Sequence, residues 1–496
     1  MTPKNNKQFN KEQFEFAPKD NLRFDLKFET KPVGYFKDAL MRFSKNKGSV
    51  VAAAILFLLI GFAITAPLVS QYETDETYRQ YSYLLPKNPM FEGSGFWDGT
   101  KVVDANYKDY IYDNTHGAVI EVLDEYEVHE VNPITLQPYE ESTKYYKYRL
   151  DTYVRGFIYI DIEEDVYQRL LQYETDNSIQ IRYPLLDTSY TTNPRLLIMH
   201  QDANYYYQLR SSDVSPILDD QGEVIPIYKY DSVTEDYVYE KFNGDNYQLR
   251  VDYDAYYVFQ YGKEPMYLFG SDDLGRDIFV RLGSGARLSI GLGFSVAFIN
   301  IIIGVIYGAI EGYYGGTADL IMERIADILY EIPSIIILTL FQIHFAQKVG
   351  VVPSLLFAFV LTGWIGTASR VRMQFYRFKR QEYVLAARTL GASDGRIIFR
   401  HILPNAIGTI ITGSILMVPS VIFSESILSF LGIVDLSGSS ITSIGAMLNS
   451  GQAQLAYYPH AIFFPALFIS LLMISFNVFG NGLRDAFNPS LRGVEE

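Results

Sequence analysis

There is no cysteine among the 496 residues of this chain. That excludes disulfides, thiolate metal sites and a cysteine nucleophile, without fixing the compartment. Histidine is sparse too: the six present are scattered. His129-Glu130 is not followed by a second histidine at metalloprotease spacing, so no metal site is expected. No glycine-rich loop ends in Gly-Lys-Ser or Gly-Lys-Thr, which removes that route to binding ATP. Positive charge is short as well, with 42 Lys plus Arg against 57 Asp plus Glu and a net charge of −15. That balance argues against nucleic acid as a partner. The carboxylates are numerous enough to pair by chance and are expected to be solvated surface, so no catalytic constellation emerges.

What is present is two compositions in one chain, averaging to a mean hydropathy near zero. Residues 72–281 hold about 18 Lys plus Arg against about 39 Asp plus Glu, and 31 of the 40 tyrosines lie there too. Residues 71–267 contain no apolar run of spanning length and are read as a soluble inserted domain. The rest is apolar enough for lipid. Val50 to Val69 carries no charge and is long enough to span. Its basic lead is too long, and its apolar run too extended, for a cleavable signal peptide. Further runs cover 288–310, 328–345, 351–368, 406–431 and 458–479, giving six spans.

Lys45 and Lys47 precede the first run, which places the N-terminus in the cytoplasm. Alternation then makes 369–405 cytoplasmic. That loop holds Arg370, Arg372, Arg377, Lys379, Arg380, Arg388, Arg396 and Arg400, the same vote reached independently. The loop 434–457 has no Lys or Arg and is expected outside. The expected organisation is a cytoplasmic tail (1–48), a first transmembrane helix (49–70), an extracellular insert (71–267), an amphipathic lead-in (268–287), a five-helix core (288–483) and a cytoplasmic tail (484–496).

The insert reads as α+β with strands dominant. Tyr145 to Ile162 alternates as a half-buried strand would, and Val166, Leu170 and Leu171 give a short helical pattern. Strands are also expected over 179–186 and 196–199. A hairpin is expected with Asn243-Gly244-Asp245-Asn246 as a four-residue loop between 236–242 and 247–253. The tyrosines suit sheet faces and rims, or else a binding face for a peptide or partner. Within the spans, Glu425 sits between Ser424 and Ser426. A charge there lines a pore or gate, packs against a partner helix, or reaches water. Asn300 and Gln342 are conduit candidates that also suit interhelical hydrogen bonds. His344 lies near the outer end of its span. Pro333, Pro419 and Pro465 can kink spans.

The stretch Glu382 to Pro404, EYVLAARTLGASDGRIIFRHILP, is a polar helix–turn–helix between apolar segments. Good helix formers run to Leu390, Gly391 breaks the run, and Ser393 can cap a second helix with its hydroxyl. Asp394 suits its first turn, Ile397, Ile398, Ile402 and Leu403 give it an apolar face, and Pro404 marks a boundary. By residues alone this is a structured loop or a docking site at the membrane surface.

The stretch closely resembles the EAA loop of ABC importer permeases, whose coupling helix inserts into the ATPase subunit. Ala386, Ala387, Gly391, Leu403 and Pro404 match; Leu385 and His401 stand where that pattern has Glu and Ile. Glu382-Tyr383 fits the peptide-importer branch. Residues 269–287, FGSDDLGRDIFVRLGSGAR, resemble the lead-in of C-type permease subunits at Gly270, Asp272, Gly275, Arg276, Asp277 and 285–287, with Ser271 for Thr. By itself this segment reads as a turn and short amphipathic helix (Leu274, Ile278, Leu282) with Arg276 and Asp277 at the surface. Residues 425–432, ESILSFLG, and 476–489, FNVFGNGLRDAFNP, including Arg484 and Asp485, are similar to the same subunits. Asn481 replaces the usual Asp, and Ile444 stands where Trp often precedes Gly445.

The resemblance implies a six-span type I ABC importer permease with an inserted α+β domain. It implies the C-type subunit of an oligopeptide or dipeptide uptake system in the cell membrane. The implied partners are a second permease, two ABC ATPases, an extracellular substrate-binding lipoprotein, peptide and lipid. ATP and Mg would belong to the ATPases, with no catalytic residue or cofactor in this chain. Glu382, Ala386, Ala387, Arg388, Gly391, Ala392, Ser393, Arg396 and Pro404 would make the ATPase contact. Nickel or another small solute is the alternative cargo. A membrane-anchored sensor and a membrane enzyme are the readings of other classes.

Overall fold

The structure, a computed structural model, describes residues 35–131, 138–187, 197–199, 206–210, 215–224, 227–438 and 441–487. Most of the N-terminal tail, Leu196 and the end of the C-terminal motif, 488–489, lie outside the described residues.

Helices α1 (Tyr35–Lys45) and α2 (Lys47–Val69) lead into the insert. The insert contains α3 (Tyr107–Thr115), α4 (Glu164–Asn177) and α5 (Tyr253–Tyr261). The chain then returns through α6 (Ile278–Tyr314), α7 (Gly316–Tyr330), α8 (Ser334–His344), α9 (Ala346–Val349), α10 (Val351–Gly363) and α11 (Ile365–Phe378). Beyond these come α12 (Glu382–Thr389), α13 (Asp394–Arg396), a π turn (Ile397–Ile402), α14 (Leu403–Ser414), α15 (Met417–Phe430), α16 (Ile444–Gln452) and α17 (His460–Phe487).

Among the described residues five helices are long and apolar enough to cross a membrane: 47–69, 278–314, 351–378, 394–430 and 460–487. The pair α7 and α8 passes the same test together but is bent by 72°, the geometry of a broken span or a re-entrant loop; the expected run 328–345 straddles that bend. The bend falls at Pro333, which fixes φ and brings no N–H to continue the helix. The chain is a multi-pass membrane protein.

The expected lead-in helix is not separate. Asp277 caps α6 by accepting from the Phe279 N–H at 2.9 Å, and the helix runs unbroken into the span. Arg276 and Asp277 are buried rather than at the surface. Arg276 pairs with Asp272 at 2.7 Å, and Arg281 lies 3.4 Å from the same carboxylate. These charges are enclosed because the insert's first segment lies on them. A Cβ on Gly275 would sit 1.8 Å from the Tyr78 carbonyl oxygen, and Gly275 has φ +74°, so only glycine fits.

Helices α6 and α11 touch backbone to backbone. A Cβ on Gly308 would fall 2.1 Å from the Ala368 carbonyl oxygen. Gly304 and Gly312, one turn to either side, face Trp364 and Arg372 in the same way. Small residues at this spacing let helices approach closely in lipid. The 434–457 segment is packed rather than free. Its helix α16 is buried against α15, with Gly445 against the Ser426 backbone.

The insert has a three-stranded sheet in the order β1 (Thr100–Asn106), β3 (Pro138–Asp151), β2 (Val119–Val131). A second sheet joins β4 (Phe157–Glu163), β5 (Arg182–Tyr183), β10 (Glu240–Asn243) and β11 (Asn246–Asp252). Two small hairpins pair β6 (Leu197–Met199) with β7 (Tyr206–Gln208), and β8 (Tyr230–Asp231) with β9 (Asp236–Tyr237). The expected strand 145–162 is therefore two strands in different sheets. The break includes Gly156 at φ +63°, a conformation that turns the chain. The expected strand 179–186 is only two residues long. The 243–246 hairpin has two loop residues, because Asn243 pairs with Asn246. The helical pattern around Leu170 is α4, with Leu170 fully buried.

Tyrosine is used in neither expected way at the base of the insert. Tyr72, Tyr78, Tyr81, Tyr153, Tyr253, Tyr257 and Tyr267 form one buried cluster with Leu84 and Val280. Tyr72 and Tyr267, at the two ends of the insert, stack at 4.6 Å and 5°. The Met266 N–H donates to the Tyr72 hydroxyl at 2.9 Å.

Candidate functional site

Helix α12 stops because Gly391 takes φ +80°. The Ala392 N–H donates back to the Ala387 carbonyl, and that of Gly391 to Arg388, both at 3.0 Å. This six-to-one closure favours glycine at the left-handed position. Ser393 then occupies the N-cap position of α13, but its side chain makes no capping bond, unlike the expectation. The Asp394 carboxylate is engaged elsewhere, accepting from the Tyr313 hydroxyl at 2.6 Å. Pro404 is no boundary. It sits in the first turn of α14, and the preceding π turn passes the chain over the hydrogen bond that proline cannot donate. The second half of the hairpin and the next span are thus one helix, 394–430.

The hairpin stands out from the body. In α12 only Val384 is buried. Glu382, Ala386, Arg388, Ser393, Arg396 and Pro404 are exposed; Ala387 and Ala392 are half-buried. Leu385 and Leu390 are exposed too, Leu390 at 88 %. Underneath, Val384, Ile397, Ile398 and Ile402 pack with Ala309, Tyr313, Val371 and Phe375. Arg388 donates to the Tyr313 hydroxyl at 3.3 Å, and the Lys379 ammonium to the Gly312 carbonyl at 2.7 Å. The hairpin therefore rests on the end of α6.

Beside it, Arg372 joins three helices. It holds Asp319 through two bonds, at 2.6 and 3.0 Å, and Glu323 through two more, at 2.6 and 2.9 Å. Buried Glu311 lies 3.5 Å away. The Tyr376 hydroxyl donates to Asp319 at 2.5 Å. Arg372 and Arg370 were expected in a loop. Both belong to α11: Arg372 is held by partners on the neighbouring helices, and Arg370 by Thr367 one turn earlier on α11 itself.

A groove of about 530 Å³ opens on one side of the bundle. Its polar lining is Asn300, Ser334, Thr362, Arg370, Ser420 and Ser424; helices α2 and α17 contribute nothing. The Asn300 amide nitrogen lies 3.5 Å from the Phe359 carbonyl, while its side-chain oxygen is buried with no hydrogen-bond partner among the described residues. Arg370 donates to Thr367 at 3.1 Å and makes no ion pair among the described residues.

Glu425 is not in the groove. It is wholly buried on the adjacent face of α15, turned toward α6, accepting from Ser289 at 2.7 Å and Ser429 at 2.9 Å. A carboxyl ringed by hydroxyls pins α15 to α6, and its neighbour Ser424 faces the groove instead. Gln342 is also outside the groove, 3.4 Å from the Val351 carbonyl. Arg484 and Asp485 are exposed at the end of α17, where buried Gly482 packs on Ser49. The residue that sequence reasoning missed is Arg370. Its signal was available: a basic residue in helical register with an apolar run that continues past it.

Comparison with known proteins bears on the whole arrangement. The family described as binding-protein-dependent transport system inner membrane component matches residues 300–493. The N-terminal TM domain of oligopeptide transport permease C matches residues 34–86. Neither reaches 87–299. The chain is 46% identical over 245 residues to the oligopeptide transport system permease protein OppC of Bacillus subtilis (strain 168), covering 49% of this chain and 79% of that one. It is 45% identical over 225 residues to the dipeptide transport system permease protein DppC of the same organism, covering 45% and 69%.

Proposed function

The chain belongs to the binding-protein-dependent inner-membrane permeases, on the oligopeptide permease C branch, and from that membership we propose that it is the C-type permease subunit of an ABC importer for oligopeptides or dipeptides. The groove forms the conduit together with a second permease. Of two ATPases, which carry the ATP and Mg, one docks at the hairpin. The insert lies outside and receives an extracellular substrate-binding lipoprotein; both termini are cytoplasmic.

The observation that carries this reading is the mounting of the hairpin. Leucines presented to solvent on a helix anchored by its opposite face are a docking knob. Through the single helix 394–430, the knob is continuous with Ser420 and Ser424 in the groove wall. Closure of the ATPases biases a two-state bundle by pushing one end of that helix, and the loaded binding protein biases it from the other side.

The test is photo-crosslinking in cells from a probe at Ser393, with the captured partner identified by mass spectrometry. Capture of an ABC ATPase is the expected result. With insertion verified, capture of only lipid or unrelated proteins from probes around Ser393 would overturn the reading.

A further inference from the structure

We propose that residues 89–97 of the insert, PMFEGSGFW, are an interfacial membrane anchor whose ligand is the lipid leaflet on the insert's side. The segment carries one charge, Glu92. It folds as a tight loop, with a 3₁₀ turn at Pro89–Phe91 and positive φ at Gly93 and Gly95. The turn pushes its largest apolar side chains outward: Met90 is 88 % exposed, Phe96 66 % and Phe91 38 %. Clustered aromatic and Met side chains on a surface loop need a partner.

The position of the loop identifies that partner. Trp97 is 6.0 Å from Phe91 and 6.1 Å from Phe96, ring to ring. On its inner side it meets Phe464 of α17 at 5.8 Å and Phe269 at 6.2 Å. Phe269 in turn stacks on Phe62 of α2 at 6.3 Å. Phe62 lies seven residues before the end of α2, and Phe464 four after the start of α17. At the helical rise those are depths of roughly 10 and 6 Å inside the helix ends. The loop is therefore level with the last turns of two spans, where Trp and its neighbours favour the headgroup boundary. The Trp97 indole N–H is already satisfied by the Leu268 carbonyl at 2.5 Å, so what the loop offers outward is apolar.

Lipid is favoured over a protein occupant by the side on which the loop sits. It rests on α2 and α17, and neither helix lines the groove. That choice rests on the proposed reading in which the groove faces the second permease.

The absence of cysteine makes the test direct. Phe96→Cys and Met90→Cys are each spin-labelled in membranes containing the assembled transporter. Collision with oxygen, which concentrates in lipid, is compared with collision with an aqueous nickel chelate. Leu58→Cys on the exposed face of α2 gives the lipid reference, and Val233→Cys on the exposed turn between β8 and β9 gives the aqueous one. The expected oxygen-to-nickel ratio is at least threefold above that of Val233→Cys at both positions. A smaller ratio at either position, or shielding from both reagents, overturns the anchor; shielding would identify a protein occupant and leave the transport reading intact.

Discussion

The Tyr313 hydroxyl donates to the Asp394 carboxylate at 2.6 Å and accepts from Arg388 at 3.3 Å. One side chain at the end of a span thus holds both arms of the hairpin. Tyr313→Phe removes these bonds and keeps the ring. The expected stability change is about 1 kcal/mol, while transport per ATP hydrolysed falls severalfold. Paired uptake and hydrolysis assays in proteoliposomes check this; an unchanged ratio would mean that Tyr313 only packs.

Gly391→Pro forces φ to about −65° at a position that needs +80°. The two arms then lose their relative orientation. ATP hydrolysis is expected to continue with little uptake at normal expression. Wild-type uptake would contradict the role given to this turn.

Arg372→Ala strips the cation from Glu311, Asp319 and Glu323. Only Glu311 is buried in this cluster and the rest is half-buried, so removing the cation costs about 1–3 kcal/mol, less than for a fully buried pair. A fall in thermal stability of that size is expected, and adding Asp319→Asn should recover part of it. Additive losses in the double variant would show that the groups do not act together.

Burial pushes the Asp277 carboxyl up from 3.8 to about 7. Between those pH values the unfolded chain loses this proton while the folded chain keeps it. Asp277 therefore costs stability as pH rises from 4 to 7, by at most about 1.4 kcal/mol per pH unit. Asp277→Asn keeps a capping oxygen without the charge. Its melting temperature in detergent should fall less over that range than the wild type's. Equal slopes would assign the pH dependence to other groups.

Gly308→Val places a branched side chain where the Ala368 backbone now lies. Overpacking of this kind costs about 1–3 kcal/mol or more. Lower thermal stability, with the hairpin arms loosened on the end of α6, should appear in hydrogen exchange at 382–396.

Five of the expected spans were legible because each contains a long apolar run; the sixth, 328–345, was not, because it is divided at Pro333 by the 72° bend and its first part continues into charged α7. The hairpin was legible because Gly391 and the isoleucines act over a few residues. Directions were harder to read. Glu425 and Ser424 are adjacent, yet one is locked inside and the other faces the groove. Only the packing of α15 on α6 decides which. Arg370 and Arg372 were misplaced because charge ended the apolar run before the helix ended. In the insert, the tyrosine cluster draws on residues from Tyr72 to Tyr267, a separation that local alternation cannot encode. The Gly304, Gly308 and Gly312 spacing was in plain view, but a glycine row alone does not say which helix will meet it.

The stacked pair Tyr72 and Tyr267 also bears on how this chain could have come to carry its insert. The contour between the two rings is long, but its ends are held in contact. Closing a loop costs entropy that grows only with the logarithm of its length, about 0.6 kcal/mol for each doubling. From the bundle's side, then, the whole excursion costs only a few kcal/mol more than a short turn. Material could be lengthened, exchanged or recombined beyond that clasp while the spans kept their places.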